Sequence, residues 1–236
     1  MPGMRLYLQE QSDVELMEVP LMTSWNIKNE YRSLYAPRTA DIHIVNVTEF
    51  PFVMIDGSGD PNTSPAYAIA VQTLYAVSYA IRAICKAELG RVHTVSPLEG
   101  LWHADDWSAF ANNERDAWKW TMMIAQPDWI DSSLFTQSLE RVSGKIDALP
   151  NSLRFEQFHE GLSVQVLHIG PYTAEAETIA RIHREFIPEQ GLTERGVHHE
   201  IYLSDPRKTP AAKLKTILRQ PVDRLDDSDR SRFDEA

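Results

Sequence analysis

Residues 51–90 read PFVMIDGSGDPNTSPAYAIAVQTLYAVSYAIRAICKAELG, and the fold follows from this stretch. Pro51 to Asp56 is an extended apolar segment, and Gly57-Ser58-Gly59-Asp60-Pro61-Asn62 is a loop. Ser64 then stands as a helix N-cap with Pro65 at the first helical position. Tyr67, Val71, Leu74, Ser78, Ile81 and Cys85 recur at helical spacing, so the helix runs to about Leu89 and stops at Gly90. Ala70, Val77 and Ile84 widen the apolar stripe, which predicts burial on much of the circumference. A further extended segment, Ile42 to Val47, precedes it. Two strands follow it, Val92 to His103 and Trp118 to Ala125.

The same order returns downstream. Asp131 caps an intervening helix carrying Phe135, Leu139, Val142 and Ile146. Leu153–Phe158 and Leu162–Ile169 are read as a hairpin around His159-Glu160-Gly161. After Gly170-Pro171 come a helix from about Ala174 to Pro188 and the strands Val197–Leu203 and Lys213–Pro221. Strand, Gly turn, helix, strand, strand thus spans about 43–126 and again about 153–221. The expected fold class is α+β, a duplicated β-α-β-β repeat. Its mixed sheet would carry two long helices on one face and a ligand cleft on the other. Residues 1–24 are expected to be an N-terminal extension, 25–222 the domain and 223–236 an acidic tail too polar to pack.

Composition narrows the function. The 236 residues are 43% hydrophobic and 24% charged, ordinary for a globular chain. A net charge of −11 argues against nucleic acid or an anionic membrane as partner. No apolar run approaches the roughly 20 residues of a membrane helix, and the first residues lack a signal-peptide pattern. The one cysteine, Cys85, excludes an intramolecular disulfide and fits a reducing compartment, so the expected location is cytoplasmic.

Among candidate sites, Gly57-x-Gly59 lacks the third glycine of a dinucleotide loop and the Gly-Lys-Ser/Thr of a P-loop, so the glycines are read as serving a turn. Cys85 lies on the core stripe, and no G-x-S-x-G elbow is present. In His198-His199-Glu200-Ile201-Tyr202-Leu203, alternation puts Ile201 and Leu203 on one face and His198, Glu200 and Tyr202 on the other. The adjacent histidines then point apart and do not share a metal. Trp118, Trp120 and Met122 share a strand face, as do Leu98, Gly100 and Trp102, with Glu99 on the opposite one. Tyr75 and Tyr79 are four apart on the long helix. An aromatic-lined pocket holding a few carboxylates (Glu99, Glu200) suits a flat, partly polar ligand, with His168 a further lining candidate.

These residues carry a resemblance. MIDGSGDPN (54–62), LYAVSYAI (74–81), SPLEGLW (96–102), WKWTMMIAQPD (118–128), QVLHIGPY (165–172), HHEIYLSDPRK (198–208) and LKTILRQPV (214–222) resemble the gyrase-inhibitor-like, or GyrI-like, small-molecule-binding family of the SOUL/GyrI superfamily. The resemblance implies two β-α-β-β repeats around a ligand cleft. It implies drug-binding domains, often fused to regulators, and a stand-alone branch of cyclopropanoid cyclopropyl hydrolases. The absence of a basic DNA-binding segment places this chain nearer that branch, with a role in detoxification. Glu200 would be its key acid, with Tyr79, Trp102, Trp120 and Tyr202 lining the pocket, and no cofactor is implied. The branch usually has two tryptophans after L-E-G-L, whereas here Trp102 is followed by His103, a difference in pocket shape. For a hydrolase, the expectation is Glu200 directing water at the ring methylene and Tyr79 or Tyr202 donating to the ketone oxygen. The alternative is a binder that sequesters its ligand without turnover. Tyr75, Glu99 and His168 complete the expected substrate contacts.

Overall fold

The computed structural model describes residues 24–105, 114–146 and 148–225. The expected N-terminal extension, apart from its last residue, and most of the acidic tail lie outside the described residues. Seven strands are present: β1 His43–Ser58, β2 Leu98–His103, β3 Lys119–Ala125, β4 Arg154–Ile169, β5 Leu192–Glu194, β6 His198–Tyr202 and β7 Lys215–Arg224. The helices are α1 Ile27–Glu30, α2 Arg32–Tyr35, α3 Pro65–Glu88, α4 Ser132–Val142, α5 Glu175–Arg181 and α6 Ile187–Glu189. The strands run in the order β4-β1-β3-β2-β6-β7-β5, and β4 also pairs with β7. Six of them therefore close into a barrel.

Every strand pairing is antiparallel, which corrects the expected mixed sheet. Closure follows from the length of β1 and β4. At 16 residues each, they pair with one another over His43–Met54 and Arg154–Gln165. Each still has a free flank, which takes β3 on one side and β7 on the other. The two expected short segments in 42–56 and the hairpin in 153–169 are thus single strands. Their alternation does break midway. Val45 and Val47 face the barrel interior, and so do Phe50, Phe52 and Met54, so odd positions give way to even ones. On β4 the inward set passes from Phe158 and Glu160 to Gln165 and Leu167 across Gly161, whose φ is +74°. A glycine in that conformation kinks a strand as readily as it closes a hairpin, and local pattern does not separate the two.

The long helix matches its expected bounds. Pro65 is its first residue and Gly90, at φ +63°, follows its end. Ala70, Leu74, Val77, Ile81, Ile84 and Cys85 are buried. They pack on Val53, Ile55, Trp120, Met122 and Ile124 of the outer barrel face and on Leu134 and Val142 of α4. Each such Leu, Val or Ile contributes about 1.5–3 kcal/mol by leaving water. The helix is long and apolar enough to match a membrane span, and half of its most apolar window is buried in this packing. Asp131 caps α4 as expected, its Oδ1 accepting from Leu134 N at 2.9 Å.

The second helical region departs from a plain helix. After α5 the chain makes a π turn over Ile182–Phe186 before α6. Ile179, Ile182 and Ile187 pack on Val164, Val166 and Leu218, also on the outer face. The opposite face lines the barrel and is filled by Phe50, Phe52, Leu101, Met123, Ile201 and Ile217, with Ile27, Leu34 and Tyr35 of α1 and α2 closing over it. Among the described residues, the barrel interior is filled by side chains rather than forming the expected cleft. On the outer face, the strip of β2 and β6 carries Trp102, His198, Glu200 and Tyr202.

Candidate functional site

The strip is built by register. Glu200 of β6 lies opposite Gly100 of β2 and Leu218 of β7. Tyr202 pairs with Leu98, and His198 with Trp102. Because side chains alternate, His198, Glu200 and Tyr202 share the outer face, while His199 and Ile201 point into the barrel. Gly100 leaves the space beside Glu200 to the indole of Trp102 and the thioether of Met122, since a Cβ there would stand 2.9 Å from Trp102 Nε1 and 3.1 Å from Met122 Sδ.

Glu200 is held by a directed chain of donors. Trp102 Nε1 donates to the Tyr202 hydroxyl at 3.0 Å, and that hydroxyl donates to Glu200 Oε2 at 2.8 Å. Burial, then the Glu200 charge, pushes the Tyr202 phenol far above its ordinary range, so it stays protonated. Its single proton is committed to Glu200. Tyr202 is accordingly a carboxylate holder in this geometry. Glu200 Oε1 is left 3.6 Å from His198 Nε2.

A second carboxyl group faces this one. Glu175, the first residue of α5, is 5% exposed, and its Oε1 has no hydrogen-bond partner. Burial, then repulsion by Glu200, raises it to about 8, so it is mostly neutral at pH 7. No sequence signal singled it out. A Glu in the first turn of a helix is commonly a solvated residue facing the helix dipole, and only the packing of α5 on the sheet desolvates it. Its protonation has a measurable consequence. Its folded value lies above the ordinary 4.5, so the folded state holds the extra proton and stability declines as pH rises from about 4.5 to about 8. Glu175→Gln is expected to remove this part of the decline, as read by urea midpoints at pH 5 and pH 8.5; an unchanged difference would contradict a buried neutral Glu175.

The walls are aromatic. Tyr67 of α3 stacks on Trp102 at 6.3 Å between ring centroids and meets Trp120 edge-on at 5.3 Å. Burial and then the Glu200 charge raise its phenol well above the ordinary range. Tyr67 had been legible only as a core-stripe residue. Tyr172, in the turn before α5, meets Tyr202 edge-on at 5.9 Å, and burial followed by Glu175 pushes its phenol up to about 12. Tyr75 and Tyr79 stack on each other at 6.4 Å. Tyr79 is 57% exposed and forms the outer end of this tyrosine row.

Other expected contacts fall elsewhere. Trp120 is 1% exposed and underlies Tyr67. Its Nε1 donates to Gly59 O at 3.3 Å, so it belongs to the support of the site rather than its surface. Gly57 faces it in the β1–β3 register, and a Cβ on Gly57 would collide with the indole. Gly57 is thus a strand residue that makes room for Trp120, which corrects the expected loop from Gly57, while Gly59, at φ +99°, follows the strand end. Gly57→Ala is expected to cost about 1–3 kcal/mol of stability and to shift the tryptophan emission; urea denaturation and fluorescence test this, and unchanged values would overturn it.

Glu99 is not brought to this strip. It is fully buried inside the barrel, where Tyr35 donates to it at 3.1 Å and His199 Nε2 lies 3.0 Å away. Alternation had put it opposite Trp102, and barrel closure turns that opposite face into an interior. His168 is 8% exposed, beneath Thr178 Oγ1 at 3.1 Å from its Nδ1, two strands from Tyr202 by register. It is not brought to Glu200.

The fold and this strip define a small-molecule-binding α+β domain. The family model for the GyrI-like small molecule binding domain matches residues 40–223, and the chain belongs to that family. An uncharacterized conserved protein from Listeria innocua is 38% identical, with a TM-score of 0.78, over 85% of this chain and 100% of its own. A hydrolase encoded by lin2189 from Listeria innocua is 36% identical, with a TM-score of 0.76, over the same shares. The EcmrR C-terminal domain shares the fold at 12% identity and a TM-score of 0.51, over 78% of this chain and 98% of its own. No curated protein matches the chain.

Proposed function

We propose that this protein is a cofactor-independent hydrolase that adds water across the cyclopropane of a flat, aromatic, DNA-alkylating dienone. The carrying observation is the pair of carboxyl groups in an aromatic strip: Glu200 held as an acceptor by Tyr202, and a mostly neutral Glu175 beside it with an unpartnered oxygen. The 36% identity to a protein described as a hydrolase supports an enzyme over a simple binder. The resemblance of SPLEGLW and HHEIYLSDPRK to cyclopropanoid hydrolases supports the substrate class.

Such a ring is activated by its own strain and by the aromaticity gained on opening, so little machinery is required. Glu200 Oε1 takes a proton from a water as the water oxygen bonds to the ring methylene. The ring C–C bond breaks, and its electron pair moves through the conjugated system to the ketone oxygen. Glu175 protonates that oxygen to a phenol, the acid role that the committed proton of Tyr202 leaves open. Trp102, Tyr67 and Tyr172 hold the ligand plane in register, which is where proximity contributes. The setting is cytoplasmic, and the biological role is detoxification.

The test is incubation with a duocarmycin-type cyclopropane compound and mass spectrometry of the product. A hydrated product formed in excess over protein is expected. Stoichiometric binding with unchanged compound would leave a sequestering protein instead.

A further inference from the structure

A file of titratable side chains runs from the surface to Glu200. Glu194 of β5, with a side chain 40% exposed, sits 2.6 Å from His183 Nδ1, on a side chain 16% exposed. The His183 ring lies 6.4 Å from that of His198 between centroids. His198, with a side chain 9% exposed, places Nε2 3.6 Å from Glu200 Oε1. Both ring nitrogens of His198 are buried without a hydrogen-bond partner, an arrangement that costs stability unless it serves something. His183 belongs to the π turn Ile182–Phe186, and such turns recur at functional positions in helices. The two observations are independent: an orphaned histidine against Glu200, and a distorted helix turn that presents a second histidine to it.

We propose that His198, His183 and Glu194 form a proton path between Glu200 and bulk solvent that resets Glu200 after each turnover. This rests on the hydrolase reading. When the product forms, Glu200 holds the proton taken from water and Glu175 has lost its own. Glu200 passes its proton to His198 Nε2, and the other nitrogen of His198 passes one on to His183, whose ring centroid lies 6.4 Å from that of His198. His183 delivers a proton through Nδ1 to Glu194 at the surface, and solvent reprotonates Glu175. No oxidant or further reactant enters. The groups facing Glu200 from the surrounding elements are Glu175 of α5, Tyr67 of α3, Tyr172 and Tyr202. The three tyrosines have raised phenols and stay protonated. Direct return of the proton from Glu200 to Glu175 is therefore the one competing route among these groups.

The experiment is pre-steady-state product formation in weak buffer, comparing wild type with His183→Gln, which does not touch Glu200, and with His198→Gln. For His183→Gln the first turnover should match wild type while steady-state turnover falls about tenfold or more, giving a burst of one product per protein. Added imidazole should restore the steady rate, and His198→Gln should show the same loss with rescue. A steady rate equal to wild type in both variants would establish the direct route and overturn the relay. A loss without rescue, or a first turnover slowed as much as the steady rate, would assign these histidines a structural role and overturn it too. A wild type that forms no hydrated product overturns the hydrolase reading itself, and that outcome is visible before any variant is made.

Discussion

Glu200→Gln is expected to lower the rate of ring hydration by roughly 100- to 10,000-fold, the usual worth of a positioned general base. Ligand binding should change little. The amide keeps an oxygen for the Tyr202 hydroxyl, which now donates at 2.8 Å, so the Trp102–Tyr202 chain and the aromatic walls stay in place. What is lost is the ability to take a proton from water. Product formation by mass spectrometry gives the rate, and tryptophan quenching gives the affinity, since Trp102 borders the site. Retention of more than a tenth of the wild-type rate would remove Glu200 from the chemistry. A loss of binding equal to the loss of rate would instead make it a counter-charge for the ligand. The wild-type rate should also fall as pH rises through about 8, where Glu175 loses the proton that the ketone oxygen needs.

The second large effect concerns stability. Inside the barrel, Arg219 donates to Glu160 at 2.7 Å, to Gln165 at 3.0 and 3.1 Å and to Leu34 O at 3.0 Å. His199 Nδ1 donates to Glu160 at 3.0 Å. Arg219, Glu160, His199 and Glu99 are all nearly inaccessible to water. Glu160→Gln leaves Arg219 and His199 facing Glu99 alone, and is expected to cost about 3–5 kcal/mol, the usual penalty for breaking a buried ion pair. Urea denaturation at pH 6 measures it, and a loss under 1 kcal/mol would show that the network relaxes without Glu160.

The same network sets a pH window. Burial alone would lower His199, but Glu160 and Glu99 outweigh it and raise the imidazole from 6.5 to about 9. Its contribution is complete below 6.5 and is lost as pH rises through about 9. Burial would raise Glu160, but His199 and Arg219 outweigh it and hold the carboxyl near 2 rather than 4.5. That contribution is complete above 4.5 and is lost as pH falls toward 2. Wild-type stability should therefore be greatest between about 4.5 and 6.5, and Glu160→Gln should weaken both flanks.

Much of the site's strand was legible without coordinates. The alternation in His198–Leu203 separated Glu200 and Tyr202 from His199 and Ile201, and the structure keeps that separation. The Ser64-Pro65 start and Gly90 stop of α3 were legible because caps and helix breakers act through neighbouring backbone. The burial of Glu175 and Glu99 and the place of Tyr67 beside Trp102 were not legible, for one shared reason. Whether a carboxyl or phenol meets solvent, ligand or an ion pair depends on which distant segment packs over it.

The sequence by itself determined the element types, the faces of β2, β3 and β6, and the family, because periodicity and turn chemistry are local. Only the tertiary structure decided that the sheet closes. Pairing of β4 with both β1 and β7 is a long-range choice that no local period encodes. That closure turns one sheet face into an interior with a charged network around Arg219 and leaves the candidate strip of Glu200 and Tyr202 on the outer face. It also sets Glu175 near Glu200, where desolvation and then repulsion by Glu200 raise the Glu175 carboxyl well above its ordinary range.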